Sequence, residues 1–338
     1  MLRGCALVAV IGLWCGAATG MPFDQAYWIA VSSGVVKIEV SRPNGYSLGT
    51  GVVVGRGQVV TACHVLRGGA GVAVLYAGVR HGAVTRTLSA EHDICLLQVP
   101  RLDALPAVLR PTSQLAIGED VGAIGFSAGA GVHHAQGAVD RLHRYDEGVV
   151  VQGSAAFTSG ASGGGLFDSE KRLVGILMFR MRGAGAQYFS APVEWIAGGL
   201  NGRAVEELDA EISGEPFWNR PPDRLPYFMR ANLLMSEERW EELQTMLPQW
   251  QLAEPSSAEP AFFSGELDIR RGQAQLALID YREAVARDPA HALAWSGLVR
   301  ASMRAGESDV ARQAYARLVS LSSVLSSRIA DEFPEVLQ

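Results

Sequence analysis

The sequence has little excess charge, few cysteines and no long unbroken apolar run. Its 338 residues carry 29 Lys and Arg against 35 Asp and Glu, and this net charge of −6 gives no reason to expect nucleic-acid binding. The 4 cysteines and 7 histidines form no group with the spacing of zinc ligands, so we expect no metal and no other cofactor. A hydrophobic share of 48% fits a globular protein, and the length suggests two or more domains.

The first twenty residues are typical of a secretory signal peptide. Arg3 gives the positive start, residues 6–14 the short apolar region, and residues 18–20 the small side chains of a cleavage site. The apolar run is too short and too rich in glycine for a transmembrane helix, so we predict a periplasmic or secreted bacterial protein. Two alternatives stay open, namely lipidation at Cys15, which a bulky preceding residue disfavours, and translation from Met21, which would give a cytosolic protein.

A glycine-rich run is the most informative segment of the chain. Residues 158–168, Thr-Ser-Gly-Ala-Ser-Gly-Gly-Gly-Leu-Phe-Asp, place Ser162 among four glycines ahead of an apolar, strand-like segment. Glycine allows positive φ and a close approach of substrate, and a serine on such a turn can lie beside two free backbone N–H groups. That is the geometry that stabilises an oxyanion, although the run alone fits a flexible loop equally well.

Two upstream segments favour the catalytic interpretation. Thr-Ala-Cys-His-Val contains His64 and follows an apolar run, and Asp-Ile-Cys-Leu-Leu begins with Asp93 and opens a strand-like run. The chain order is therefore His64, Asp93, Ser162, which is one of the orders in which the Ser-His-Asp constellation occurs.

These segments resemble the three motifs of trypsin-like serine proteases, which read Thr-Ala-Ala-His-Cys or Thr-Asn-Ala-His-Val, Asp-Ile-Ala-Leu-Leu, and Gly-Asp/Asn-Ser-Gly-Gly-Pro-Leu. Residues 49–57 and 117–126 are similar to the corresponding segments of the bacterial HtrA-like branch. The resemblance covers about residues 31–197 and implies an all-β, chymotrypsin-like double β-barrel. Short apolar runs broken by Gly, Asn and Pro independently suit antiparallel barrels.

The resemblance also implies a role for each motif residue. Ser162 corresponds to the nucleophile, His64 to the general base and Asp93 to the residue that orients it, while the N–H groups of Gly160 and Ser162 correspond to the oxyanion hole. Gly165 departs from the pattern because the family usually has proline there, and this change predicts a looser loop.

The substrate pocket follows from the same resemblance. It should use Ala156, Met178, Phe179 and Arg180. Ala156 stands about where a trypsin has its specificity carboxylate, which argues against a preference for Lys or Arg. We expect a small or aliphatic residue to be preferred.

Cleavage of the signal peptide would leave two cysteines, Cys63 and Cys95, beside His64 and Asp93. The His and Asp backbones lie close together in a folded triad, so a disulfide is plausible in an oxidising compartment. Two buried thiols are the alternative.

The remainder of the chain has a different pattern. Residues 198–224 read as a linker, because Gly and Pro interrupt an acidic stretch. Residues 225–331 read as helical repeats, in which Gly272, Ala277 and Tyr281 recur after 34 residues as Gly306, Ala311 and Tyr315. The pattern resembles tetratricopeptide (TPR) repeats and implies a protein or peptide partner, with an unrelated helical bundle as the alternative.

We therefore expect four parts: a signal peptide (1–20), a trypsin-like protease domain (21–197), a linker (198–224) and a TPR-like domain (225–331). The expected activity is hydrolysis of peptide bonds by a Ser-His-Asp triad. Two other functions stay open. One is a non-catalytic scaffold whose helices bind a partner protein, and the other is a protease that is latent until a partner docks.

Overall fold

Two β-barrels and a helical region follow one another along the chain. The computed structural model describes residues 23–127, 131–181, 186–200, 206–207, 212 and 214–337. The predicted signal peptide lies outside the described residues. The predicted fold class, a double β-barrel followed by an all-α region, is confirmed.

The first barrel is antiparallel and is closed by the pairing of β5 with β6. Along β1, Val36, Ile38 and Val40 are fully buried while the residues between them are partly exposed, which is the period of two expected for a strand with one face on a core. The six strands run in the order β5-β4-β1-β2-β3-β6. They are β1 Val35–Arg42, β2 Gly45–Gly55, β3 Gln58–Ala62, β4 Gly71–Tyr76, β5 Val79–Ser89 and β6 Ile94–Gln98.

The second barrel repeats this plan with six further strands and is closed by the pairing of β10 with β7. Its strands are β7 Asp120–Phe126, β8 Val132–Tyr145, β9 Gly148–Gly153, β10 Gly165–Asp168, β11 Leu173–Met181 and β12 Gln187–Pro192. Three helices accompany the barrels, namely α1 Gln25–Ser32, α2 Cys63–Leu66 and α3 Val193–Leu200, with a 3-10 turn at Thr112–Gln114.

The described parts of the predicted linker pack on the barrels. A two-residue strand, β13 Glu206–Glu207, pairs with β5, and Ile212 is buried in the core of the first barrel. Phe217 is fully buried, and its backbone N–H donates to the Glu91 carbonyl at 2.9 Å. The 3-10 turns Phe217–Asn219 and Pro222–Arg224 then lead into the helical region. Acidic, Gly- and Pro-rich composition indicates an irregular segment but does not reveal this packing.

The helical region contains seven helices among the described residues. They are α4 Tyr227–Ser236, α5 Trp240–Ala253, α6 Glu259–Arg270, α7 Ala274–Arg287, α8 Ala292–Ala305, α9 Ser308–Leu321 and α10 Ser323–Glu332, followed by a 3-10 turn at Pro334–Leu337. Tyr281 on α7 is 1% exposed and fills the space between Gly265 and Gly297, where an added Cβ would lie 2.8 and 2.3 Å from its ring. Small residues thus let three helices close around one aromatic ring, as the TPR-like pattern predicts. The TPR assignment itself stays a prediction.

The helices return to the second barrel. Ser322 at the start of α10 donates its hydroxyl to the Ile117 carbonyl at 2.7 Å, and the guanidinium of Arg141 lies 5.3 and 5.4 Å from the rings of Phe262 and Phe263. A cavity of about 670 Å³ remains between β8 and the loops that join the helices. None of the helices within the described ranges is long and apolar enough to cross a membrane.

Candidate active site

His64 and Asp93 come from neighbouring elements of the first barrel. β3 pairs with β6 so that Ala62 lies opposite Ile94, and this register brings the end of β3 beside the turn before β6. His64 lies in α2, which starts directly after β3, and Asp93 closes the turn with a left-handed φ of 60°. Local strand pairing therefore brings together two residues that are 29 positions apart.

The Asp93 carboxylate holds His64 through both of its oxygens. Its Oδ2 lies 2.6 Å from His64 Nδ1, and its Oδ1 accepts the His64 backbone N–H at 2.8 Å. Asp93 is completely buried, whereas 28% of the His64 side chain is exposed. Since Nδ1 carries the proton toward a carboxylate, the other ring nitrogen is the basic one, as a general base requires.

A third donor to Asp93 comes from a residue that the sequence reasoning missed. The indole N–H of Trp218 lies 3.2 Å from Asp93 Oδ2, and the indole meets the His64 ring edge to face at 5.4 Å between ring centroids. A buried carboxylate needs such donors to replace the water it has lost. No local signal in the sequence connects residues that are 125 positions apart.

Ser162 lies on the turn before β10. Its side chain is half-buried, and its hydroxyl lies 3.5 Å from the carbonyl oxygen of Met178, at the limit of a hydrogen bond. Within the described residues, no hydrogen bond joins the Ser162 hydroxyl to the His64 ring. Catalytic hydrogen bonds are often long or poorly aligned before substrate binds, so this arrangement is compatible with a triad that tightens on binding.

The Ser162 turn holds two backbone N–H groups that bond to none of the described residues. Gly160 and Gly163 have left-handed φ values of 96° and 82°. At Gly163 an added Cβ would lie 2.2 Å from the Thr50 carbonyl oxygen, so no other residue fits there. In the described part of the chain, the N–H groups of Gly160 and Ser162 donate to no protein acceptor and are available to an oxyanion. Gly165 is the first residue of β10 and is paired with Ile176 on one side and Ile124 on the other.

Thr50 is a second residue that the sequence reasoning missed. It is completely buried on β2, where its hydroxyl donates to the Gly160 carbonyl at 2.7 Å and accepts the Phe126 N–H at 2.8 Å. Its backbone N–H donates to the Ser162 carbonyl at 3.0 Å. The first barrel thereby holds the serine turn of the second. Its position within Gly-Thr-Gly, in the segment that resembles the HtrA-like branch, was the available signal.

Of the predicted pocket residues, Met178 contacts Ser162 through its carbonyl oxygen. Met178, Phe179 and Arg180 are consecutive on β11, and Ala156 follows β9. Phe179 is 8% exposed and stacks on Phe189 at 4.7 Å. Their part in binding a substrate stays a prediction.

Cys63 and Cys95 are joined by a disulfide bond, with Cα atoms 5.0 Å apart. The bond ties the first residue of α2 to β6, beside both His64 and Asp93. Within the described ranges, no three His, Cys, Asp or Glu side chains are grouped so that they could hold a metal ion.

Comparison with known proteins identifies the class of this double barrel. Residues 49–176 match the sequence model of the trypsin-like peptidase domain. The chain therefore contains a trypsin-like peptidase domain, and the match includes His64, Asp93 and Ser162.

Relatives of the HtrA type are also similar to the chain. A probable periplasmic serine endoprotease, DegP-like, of Buchnera aphidicola is 29% identical over 152 residues, which cover 42% of this chain and 33% of that protein. The chain thus matches about a third of the length of this curated relative. Among solved structures, the active form of the Rv3671c protease from M. tuberculosis is 24% identical with a TM-score of 0.49, covering 54% of this chain and 85% of that one. The HtrA-type protease AlgW with a tripeptide is 24% identical with a TM-score of 0.47, covering 52% of this chain and 62% of that one.

Proposed function

We propose that the protein is a serine endopeptidase that hydrolyses peptide bonds through Ser162, His64 and Asp93. The observation that carries the proposal is the buried Asp93 carboxylate bonded to His64 at 2.6 Å, in a peptidase domain whose serine turn holds two N–H groups that bond to none of the described residues.

The reaction follows from the roles of these groups. The Ser162 oxygen attacks the carbonyl carbon of the scissile bond, and His64 accepts the hydroxyl proton as the new C–O bond forms. The negative carbonyl oxygen is held by the N–H groups of Gly160 and Ser162, and loss of one such donor typically costs about 10²–10³ in rate. His64 returns its proton to the leaving amine as the C–N bond breaks. Water then hydrolyses the acyl-enzyme by the same steps, and Asp93 stabilises the imidazolium throughout.

The substrate preference is proposed from the pocket. Ala156 offers no charge to a basic side chain, and Met178 and Phe179 are apolar and buried. A small or aliphatic residue before the scissile bond suits this lining.

A location and a class of partner belong to the same proposal. The predicted signal peptide and the disulfide fit a periplasmic or secreted protein, because disulfides persist in oxidising compartments. The TPR-like helices are proposed to bind a protein or peptide partner.

Labelling with a fluorophosphonate tests the activity. We expect the purified mature protein to be labelled and Ser162→Ala to remain unlabelled, because only an activated serine beside an oxyanion hole reacts rapidly. Ser33→Ala is the matched control, since Ser33 is an exposed serine at the end of α1. Equal labelling of the wild type and Ser162→Ala would contradict the assignment of the nucleophile.

A latent protease is the second candidate, and one observation favours it. The Ser162 hydroxyl lies 3.5 Å from the Met178 carbonyl oxygen and is not bonded to the His64 ring. If rearrangement is required, labelling of the wild type should be slow and should accelerate when peptides that bind the helical region are added. A fast rate that no peptide changes would exclude latency.

A further inference from the structure

The segment between the peptidase domain and the helices reaches the centre of the candidate active site. Trp218 lies outside the residues matched by the peptidase family and within the predicted linker. Its indole N–H lies 3.2 Å from Asp93 Oδ2, the same oxygen that contacts His64 Nδ1. The segment therefore touches the two groups that would activate the nucleophile.

The indole also faces the predicted substrate pocket. It stacks on Phe179 with ring centroids 5.2 Å apart and planes 17° apart, and it lies against the edge of His64. The side chain is half-buried, so part of it is accessible to solvent. Trp218 thus bridges the His64–Asp93 pair and the pocket strand β11.

Neighbouring residues fix the position of Trp218. Phe217 is fully buried and contacts the rings of Tyr145, Trp195 and Phe179 at centroid distances of 4.9, 6.0 and 6.2 Å. Arg220 forms an ion pair with Glu91 at 2.6 Å, two residues before Asp93. Because both flanking residues are anchored to the barrels, the indole is presented to Asp93 by a held segment.

We infer that Trp218 is a positioning residue of the active site, which holds the Asp93 carboxylate and the His64 ring in the orientation needed to activate Ser162. The inference rests on the proposed serine endopeptidase function. Asp93 is fully buried with the indole in place, and loss of the indole N–H leaves Oδ2 with the imidazole as its only side-chain partner among the described residues. A carboxylate held by fewer donors is free to tilt, and the basic nitrogen of His64 tilts with it.

Kinetics of fluorophosphonate inactivation test this role. Trp218→Phe keeps an aromatic ring against Phe179 but removes the N–H, so we expect kinact to fall about tenfold while KI stays within twofold. Trp218→Ala also removes the ring, so KI should rise as well. Trp295→Phe is the matched control, because Trp295 donates its indole N–H to the Pro289 carbonyl in the helical region and its loss should leave both constants unchanged.

Two kinetic results would overturn the inference. Unchanged kinact in Trp218→Phe, with melting temperature as in the wild type, would mean that the N–H does not position Asp93. Faster inactivation of Trp218→Ala would mean that the indole obstructs access of the reagent to Ser162.

A spectroscopic measurement separates this inference from the proposed function. In protein labelled with ¹⁵N-tryptophan, the resonance missing from Trp218→Phe identifies the Trp218 indole N–H. That resonance should move upfield in Asp93→Asn, because a neutral amide is a weaker acceptor than a carboxylate. If the wild type is not labelled by the fluorophosphonate, the proposed function fails. The resonance then tests by itself whether the Trp218 indole is bonded to Asp93. A shift supports the bond to Asp93, and an unmoved resonance overturns it.

Discussion

At the scale of single residues, the site depends on buried polar side chains that satisfy backbone groups. Thr50 is the clearest case, since its hydroxyl serves the Gly160 carbonyl and the Phe126 N–H at once. Gly160 is one of the two glycines whose left-handed conformation shapes the serine turn. A single hydroxyl thereby connects the two barrels at the point where an oxyanion would form.

Removing that hydroxyl should weaken both the fold and the site. In Thr50→Val the part-buried Gly160 carbonyl and Phe126 N–H lose their partner, and we expect the free energy of unfolding to fall by about 2 kcal/mol. Thr50→Ser keeps the hydroxyl and loses one methyl group, at about 1 kcal/mol. Urea denaturation and the fluorophosphonate labelling rate measure the two effects. Equal loss of labelling in both variants would contradict a role for the hydroxyl.

At the scale of elements, the β3–β6 pairing places His64 beside Asp93 and the disulfide secures the same junction. Cys63 begins α2 and Cys95 lies on β6, opposite Thr61 of β3. The Cys63 backbone N–H also donates to the Asp93 carbonyl at 3.0 Å. Strand pairing and the covalent bond therefore act on the same two segments.

Breaking the disulfide should destabilise the first barrel. The two cysteines are 32 positions apart, and a loop of this size corresponds to roughly 3–4 kcal/mol on the chain-entropy estimate. We expect dithiothreitol to lower the urea midpoint of the wild type. The Cys63→Ala/Cys95→Ala variant should have a lower midpoint than the wild type without reductant, and dithiothreitol should not change it. A wild-type midpoint that is the same with and without reductant would show that the bond adds no stability.

At the scale of the whole molecule, the helical region is docked on the second barrel around a buried histidine. His143 on β8 is 1% exposed, and its ring stacks on Phe228 of α4 at 4.5 Å. Its Nε2–H donates to Gln152 Oε1 at 2.8 Å, since an amide oxygen only accepts. Its Nδ1 is buried and has no hydrogen-bond partner in the part of the chain that the structure describes. Burial lowers the pKa of His143 to about 4, while Glu259 raises that pKa and Arg141 and His291 lower it.

The molecule should therefore lose stability in mild acid. An unfolded histidine has a pKa near 6.5, so between about pH 6.5 and pH 4 the unfolded chain binds a proton that native His143 does not. The stability that neutral His143 provides is complete above about pH 6.5 and decreases as the pH falls, by roughly 3 kcal/mol in total.

His143→Gln tests this sign, because glutamine can donate to Gln152 without titrating. When the pH is lowered from 7 to 4.5, the melting temperature of His143→Gln should fall less than that of the wild type. His133→Gln, at an exposed histidine on β8, should follow the wild type. If the melting temperatures of the wild type and His143→Gln fall equally with pH, His143 is not the group that causes the loss of stability in acid.

Sequence analysis predicted what short motifs and periodicity encode. Alternating and continuous apolar runs predicted the strands, because one or both faces of a barrel strand must be buried. The recurrence of Gly272, Ala277 and Tyr281 after 34 residues predicted repeated helix pairs. The composition of residues 198–224 predicted an irregular segment, but composition carries no information about which surface such a segment covers.

The sequence by itself determined the helical region and the candidates His64, Asp93 and Ser162, and its resemblance to trypsin-like proteases implied the double barrel. Motifs and repeats can be recognised in this way because they are local patterns in a fixed order along the chain. Only the tertiary structure decided that Trp218 and Thr50 contact that site and that the helices return to the second barrel. Trp218 and Asp93 are 125 positions apart, Thr50 and Gly160 are 110 apart, and Ser322 and Ile117 are 205 apart. No local propensity specifies such distant pairs, since they form only when complete barrels and helices pack against one another.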